Sequence, residues 1–306
     1  MTMQAGVKID PNLPEYKAAQ AFKLKMVGSD TMKYEMAALM EGFTKFYPNV
    51  GSEIESKGSS FGPPALLAGT AQFAPMSRAM NAKEVNDFKK KFGYPPVALP
   101  VSIDMIVVWV HKDNPLQGLT LQQVDAVFSS TRKGGFPKTV NTWGDLGLQG
   151  EWADKPITRY GRDLASGTNR FFREHALFNG AYRAEVKEQP GGELIVAHVA
   201  ADKYAVGYSG MGFKTSDVRA LPLALDLKSP YVVPEPPNAY SGDYPLTRVL
   251  LMYVNHQPGT ELDPLRREFI RYLYSQQGQE DVLRSGFLPL GNLITARALG
   301  AVELKP

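Results

Sequence analysis

Four short segments of the chain place serine, threonine and glycine where an extended stretch gives way to a helix. The first N–H groups of a helix have no partner within it and lie at the positive end of its dipole, so small hydroxyl residues there can bind an oxyanion. Together the segments predict a site for a tetrahedral oxyanion, to which Arg162 would add a planar, permanently charged donor pair. The segments are Gly28–Thr31, Lys57–Ser60, Met76–Arg78 and Arg162–Thr168.

Each segment also has a simpler interpretation, which is ordinary capping of a helix. A serine or threonine in front of a helix satisfies the same backbone N–H groups that would bind an anion. One such segment alone would be interpreted as a cap. Several in one chain, one of them with an arginine four residues before Ser166-Gly167-Thr168, favour a binding site.

The elements that must position these segments alternate between strands and helices. Phe22–Val27 alternates as a half-buried strand does, and a stripe of Met and Phe from Met36 to Phe46 follows at helical spacing. A second strand is predicted over Ser52–Ser56, and a helix begins at Pro63. This alternation predicts an α/β fold.

Further along, the pattern gives several more specific predictions. Val97–Val110 is rich in β-formers but long and interrupted by Pro100, so we predict a segment that passes between domains rather than one simple strand. Thr120–Gln123 is a capping-box pattern that predicts a helix start. Five prolines between Lys228 and Pro245 predict a loop or a second crossing between domains.

Composition limits the class of protein. The 306 residues are 43% hydrophobic and 21% charged, which is normal for a soluble globular chain of two domains. The net charge of +3 is small and dispersed, so we expect no nucleic-acid partner. There is no cysteine, and the longest apolar run, Met105–Val110, is far shorter than the roughly twenty residues of a membrane span.

One motif suggests an enzyme instead. Gly58-Ser59-Ser60-Phe61-Gly62 matches the G-x-S-x-G pattern of a hydrolase nucleophile, and histidines downstream could complete a catalytic set. None of the four histidines lies in a recognisable catalytic context, and short motifs often match by chance. A serine hydrolase or phosphatase that uses Ser59 or Ser60 therefore stays an alternative. The scattered histidines predict no metal site, and nothing in the sequence implies a cofactor.

An ordered set of motifs over Phe22–Pro289 resembles the periplasmic phosphate-binding proteins of high-affinity phosphate ABC importers. Each motif is weak alone, but their order and spacing are specific. The motifs are Gly28-Ser29-Asp30-Thr31, Gly58-Ser59-Ser60, Phe73-Ala74-Pro75-Met76-Ser77-Arg78, Arg162-x-x-x-Ser166-Gly167-Thr168-x-x-Phe171-Phe172 and Tyr244-Pro245-Leu246-Thr247-Arg248.

The resemblance implies a two-lobed type II periplasmic-binding-protein fold, with mixed sheets flanked by helices and two hinge crossings. An N-terminal arm would cover residues 1–21. Lobe I would be discontinuous, over residues 22–101 and 247–306, and lobe II would cover residues 102–246. The ligand would lie in the cleft between the lobes.

The resemblance also assigns roles to residues at the matching positions. Thr31 and Ser59 would bind phosphate from the first lobe. Arg162 and the Ser166-Gly167-Thr168 segment would bind it from the other. Further candidates, placed less firmly by the motifs, are Ser29, Asp30, Met32, Ser60, Ser77, Arg78 and Asp104.

The chain departs from the family pattern at one position. Well-known members carry an aspartate in the segment that matches Phe73–Met80, where it accepts the proton of phosphate; here Ser77-Arg78 stands instead. Because a carboxylate repels fully ionised sulfate, its loss would weaken discrimination, and a binding protein for another oxyanion such as sulfate is a further alternative. Asp30 or Asp104 could supply the missing acceptor.

The expected protein is therefore a non-enzymatic receptor that delivers inorganic phosphate to the membrane subunits of an ABC permease. We expect it to be monomeric and periplasmic. Met1–Gly6 lacks the basic and apolar segments of a signal peptide, which by itself is consistent with a cytoplasmic protein or with a mature exported form. The resemblance favours the mature, periplasmic form.

Overall fold

The computed structural model describes residues 22–305, so the predicted N-terminal arm at 1–21 lies outside the described residues. Strands and helices alternate over residues 22–92, as predicted. The strands are β1 (Phe22–Gly28), β2 (Val50–Ser56), β3 (Phe73–Met76), β4 (Val97–His111), β5 (Leu119–Thr120), β6 (Thr158–Arg162), β7 (Val186–Gln189), β8 (Ala205–Gly210), β9 (Val218–Ala220), β10 (Leu223–Ala224) and β11 (Thr247–Val254).

Most of the helices are short, and several begin at a side-chain cap. Asp263 accepts a hydrogen bond from the N–H of Arg266, and Thr120 and Gln123 form the predicted capping box. The helices are α1 (Lys33–Thr44), α2 (Gly62–Ala68), α3 (Ala82–Phe92), α4 (Leu121–Phe128), α5 (Gly167–His175), α6 (Gly192–Ala201), α7 (Pro236–Ser241), α8 (Pro264–Leu273), α9 (Gln276–Arg284) and α10 (Asn292–Ala301).

The chain divides into two compact units, and it passes from one to the other twice. Of the described residues, the first unit contains 22–103 and 249–305, and the second unit contains Asp104–Arg248. The changes of unit therefore fall within β4 and within β11. The predicted boundaries were 101/102 and 246/247.

The first unit is built on a mixed sheet. β1 pairs in parallel with β2 and with β3, and β11 pairs antiparallel to β3. The apolar stripe of α1 is buried as its spacing predicts, and the Phe43 ring contacts those of Tyr47 and Phe269 at centroid distances of 4.9 and 5.4 Å. The carboxyl ends of β1, β2 and β3 lie along one edge of this sheet.

The second unit has its own mixed sheet. β6 pairs in parallel with β7 and β8, whereas β4 pairs antiparallel to β8 and β9. Phe172 stacks on Tyr208 at 3.7 Å, and Phe128 meets both rings edge-on. This aromatic core fixes α5 against β8 and α4.

Two predictions about the elements were correct only in part. Val97–His111 passes from one unit to the other as predicted, but it is one continuous strand in spite of Pro100. The proline-rich stretch from Lys228 to Pro245 contains the short helix α7, whose first two residues are prolines, which suit the first turn of a helix.

Candidate functional site

In the first unit, serines follow all three parallel strands at the same edge of the sheet. Ser29 comes after β1, Ser59 after β2 and Ser77 after β3, and all three are buried. The two hydroxyl oxygens of Ser59 and Ser77 lie 3.1 Å apart, and the N–H of Ser77 donates to Ser59 Oγ at 3.0 Å. The Ser29 hydroxyl is buried and has no hydrogen-bond partner among residues 22–305. Buried polar groups are usually hydrogen-bonded, so this hydroxyl is a candidate donor to a ligand.

Two glycines allow this arrangement. Gly58 has φ 119° and ψ 152°, a conformation essentially restricted to glycine, and it turns the chain from β2 directly into Ser59. Gly28 lies so close to Pro75 that an added Cβ would be 2.0 Å from the carbonyl oxygen of Pro75. The close approach lets the Ser29 N–H donate to that carbonyl at 2.8 Å. Gly28 and Gly58 together thus hold Ser29 and Ser59 at the edge of the sheet.

The remaining first-unit candidates divide by their surroundings. Thr31 is buried in the turn before α1, and Met32 is buried at the N-cap of α1. Asp30 is half-buried, and its carbonyl accepts from the Lys33 N–H at 3.2 Å. Ser60 is exposed.

Arg78 is turned towards a structural partner. Its Nη1 and Nη2 donate to the two carboxylate oxygens of Glu84 at 2.8 and 2.7 Å, and Nη1 also donates to the carbonyl of Ala79. The Glu84 carboxylate in turn accepts from the N–H of Asn81, the N-cap of α3. The contacts of Arg78 therefore stabilise the start of α3.

In the second unit, Arg162 lies at the carboxyl end of β6 and is almost completely buried. Its Nε donates to the carbonyl of Gln189 at 3.2 Å and its Nη2 to that of Pro190 at 2.9 Å. These two backbone carbonyls fix the orientation of the guanidinium. The Arg162 backbone is fixed as well, because its carbonyl accepts from Asn169 Nδ2 at 2.6 Å and its N–H donates to the Tyr208 hydroxyl at 3.2 Å.

The predicted Ser166-Gly167-Thr168 segment forms the start of α5. Ser166 is the N-cap, and its hydroxyl accepts from the Thr168 N–H at 3.1 Å. All three residues are buried. The capping interaction is therefore present, and the Asn169 amide ties this turn to Arg162.

Asp104 joins this group through a residue that the sequence analysis did not propose. Arg248 donates from Nε and Nη2 to Asp104 Oδ2, at 3.0 and 2.7 Å, and from Nη2 to Thr168 Oγ1 at 2.9 Å. Burial raises the pKa of the Asp104 carboxyl above its ordinary value, while the adjacent Arg248 guanidinium acts in the opposite direction.

One signal in the sequence could have identified Arg248. In β11 the residues at Arg248, Leu250 and Met252 are buried, whereas Val249 between them is exposed. An arginine on the apolar face of an alternating strand has to meet a buried partner, which makes it a candidate for a site.

The contacts of Ser59 and of the histidines differ from those of the catalytic serine and histidine of a hydrolase. The hydroxyl of Ser59 bonds to Ser77. Within residues 22–305, two histidines stack on aromatic rings: His175 stacks on Phe171, and His198 stacks on Tyr160. Nowhere in that range do three or more metal-ligating side chains gather as a candidate metal site.

Two units of α/β structure, each with buried hydroxyls at strand ends, are what a solute-binding protein would need. The family model described as PBP superfamily domain matches residues 14–277. The phosphate-binding protein PstS of Pseudomonas aeruginosa is 45% identical over 302 residues, which cover 98% of this chain and 94% of that protein. Protein SphX of Synechocystis is 26% identical over 86% of this chain and 77% of its own length.

A solved structure supports the same fold. The chain is similar, with a TM-score of 0.73 and 23% identity, to a putative phosphate ABC transporter substrate-binding protein with bound phosphate from Clostridium perfringens, over 88% of this chain and 100% of that one. The chain therefore belongs to the PBP superfamily and, within it, to the family of the phosphate-binding protein PstS. This membership confirms the predicted periplasmic-binding-protein fold and the predicted class, a binding protein rather than an enzyme.

Proposed function

We propose that this chain captures inorganic phosphate and delivers it to the membrane subunits of an ABC permease. The observation that carries the proposal is the buried Arg162 guanidinium, held by neutral carbonyls beside the N-terminal turn of α5. A planar charged donor next to a capped helix start suits a tetrahedral oxyanion. The names of the relatives, which are phosphate-binding proteins, support phosphate as that anion.

The two units would contribute different chemistry to one ion. The second unit would supply charge from Arg162 and donors from Ser166, Gly167 and Thr168. The first unit would supply neutral donors, from Thr31, Ser59 and the buried hydroxyl of Ser29. In this proposal phosphate is retained by closure of the two lobes on it, as the resemblance implies, and no cofactor takes part.

The acceptor for a phosphate proton is proposed to be the hydroxyl pair of Ser59 and Ser77. Asp104 is less suited, because its Oδ2 accepts two hydrogen bonds from Arg248. A serine hydroxyl has one proton and two lone pairs, so a bonded pair of serines can offer both a donor and an acceptor to a ligand. Ser77 would thus replace the family aspartate with a group that does not repel a fully ionised anion.

The partners and location follow from the same proposal. We propose a periplasmic, monomeric protein with an ABC permease as its partner and no nucleic-acid ligand. Among residues 22–305 there is no helix both long enough and apolar enough to cross a bilayer.

Calorimetric titration of phosphate-stripped protein tests this proposal. We expect one-to-one binding of phosphate, and the substitution Arg162→Met should weaken it by about 10- to 100-fold, because a charged hydrogen-bond donor is lost. Arg170→Met is the matched control, since Arg170 lies on α5 in the same unit and forms a partly exposed ion pair with Glu174. No phosphate binding, or equal effects of the two substitutions, would contradict the proposal.

A further inference from the structure

A buried ion pair joins the first and last residues of the second unit. Asp104 begins this unit and Arg248 ends it. Their side chains are only 1% and 3% exposed, and two nitrogens of the guanidinium donate to one carboxylate oxygen. Nearby, the Ile106 N–H donates to the Leu246 carbonyl at 2.9 Å. The strand that enters the unit and the strand that leaves it are thus fastened to each other where the chain changes unit.

The same guanidinium reaches the start of α5. Arg248 Nη2 lies 2.9 Å from Thr168 Oγ1, and the cation lies over the Phe171 ring at 5.4 Å from its centroid. A guanidinium can only donate, so the Thr168 oxygen is the acceptor in this bond. The hydroxyl proton of Thr168 must therefore point away from Arg248.

This direction matters for an anionic ligand. The unprotonated oxygens of phosphate only accept hydrogen bonds, so a hydroxyl helps to bind them only when its proton faces them. A threonine hydroxyl that rotates freely would contribute less to the binding free energy, because its rotation would have to be restricted when the ligand binds. Asp104 holds Arg248 by two hydrogen bonds, and Arg248 fixes the Thr168 oxygen.

We propose that Arg248, held by Asp104, is a positioning residue that presents the Thr168 hydroxyl to phosphate as a donor. The proposal rests on the proposed function, since it assumes phosphate as the ligand of Thr168. It assigns Arg248 a role distinct from that of Arg162, which would contact the ion itself. Asp104 acts through Arg248 and is not the proton acceptor of the site.

A double-mutant cycle on the full chain tests this role. Phosphate affinity is measured by calorimetry for the unsubstituted chain, Arg248→Lys, Thr168→Val and the double variant. Lysine keeps the charge but cannot bond Asp104 and Thr168 with the same planar group. We expect Arg248→Lys to weaken phosphate binding by about ten-fold alone and by less than about two-fold in the Thr168→Val background.

The outcomes separate the alternatives. Equal losses in the two backgrounds would overturn the positioning role, because Arg248 would then act on phosphate directly or through the general structure of the unit. Failure of the unsubstituted chain to bind phosphate would contradict the proposed function itself. If circular dichroism shows that Arg248→Lys does not fold, Asp104→Asn replaces it in the cycle. We expect Asp104→Asn to weaken phosphate binding by less than Arg248→Lys, and this effect should again disappear in the Thr168→Val background. Equal losses of affinity in the two backgrounds would again overturn the positioning role.

Discussion

The hydroxyl oxygens of Ser59 and Ser77 lie 3.1 Å apart, after two strands that run parallel in one mixed sheet. Ser59 Oγ also accepts from the N–H of Ser77, so one of its lone pairs is already used. The direction of the hydroxyl–hydroxyl bond can reverse, and the pair can then present either a proton or a lone pair. A carboxylate at this position would present lone pairs only.

The first prediction concerns selectivity between phosphate and sulfate. We expect excess sulfate to compete measurably with phosphate for the unsubstituted chain at neutral pH. Ser77→Asp should weaken sulfate binding at least about ten-fold more than phosphate binding, because a carboxylate repels an anion that has no proton to donate. Competition calorimetry with both anions measures the ratio. A ratio unchanged by Ser77→Asp would contradict the assignment of the acceptor to this pair.

A second prediction separates the role of Arg78 from that of Arg162. Arg78→Gln should lower the free energy of unfolding by about 1–3 kcal/mol, because it leaves the Glu84 carboxylate without its bidentate partner at the start of α3. Phosphate affinity should change by less than about three-fold. Thermal unfolding and calorimetry on the same sample give both values. A large loss of affinity with unchanged stability would place Arg78 in the site.

The third prediction concerns Gly58, whose backbone conformation leads directly into Ser59. Gly58→Ala should lower the free energy of unfolding by about 1–3 kcal/mol and also weaken phosphate binding, since relief of the strain would move Ser59. Gly69→Ala is the matched control: Gly69 has φ 74° at the end of α2, with open space around a Cβ. It should cost stability only. Equal effects of both substitutions on affinity would argue against a positioning role for Gly58.

A fourth prediction concerns acid stability of the second unit. The backbone N–H groups of Thr142 and Asn141 lower the pKa of Asp145 from 3.8 to about 2. A lowered pKa stabilises the folded state above the unfolded pKa, and this contribution is lost as the pH falls from about 4 to 2. Because the Asp145 side chain is 28% exposed, we expect it to contribute only about 1 kcal/mol to the free energy of unfolding.

Chemical denaturation at pH 6, 4, 3 and 2 measures this contribution. Between pH 6 and pH 2, the free energy of unfolding of Asp145→Asn should fall by about 1 kcal/mol less than that of the unsubstituted chain. An acid profile unaltered by Asp145→Asn would refute the prediction.

Local patterns in the sequence predicted the elements that position the site. The capping box at Thr120 and the proline start at Pro63 mark real helix starts, because these signals depend on residues only a few positions apart. The single strand β4 was not predictable in this way. Its two halves are buried in different units, which is a long-range property that no window of sequence contains.

The site shows the same division between local and long-range information. Ser166-Gly167-Thr168 could be proposed from sequence because its donors lie within one turn of helix. Arg248 could not be linked to Thr168, since 80 residues separate them and only the fold brings their side chains within 2.9 Å.

The most direct test of the central claim, that both units bind one phosphate ion, is a calorimetric titration of Ser59→Ala and Arg162→Met beside the unsubstituted chain. We predict a stoichiometry of one and a weaker affinity in both variants, with the larger loss at Arg162, because its hydrogen bond carries charge. A stoichiometry of two, or an affinity unaffected by one of the two substitutions, would show that the units do not share a ligand and would contradict the account.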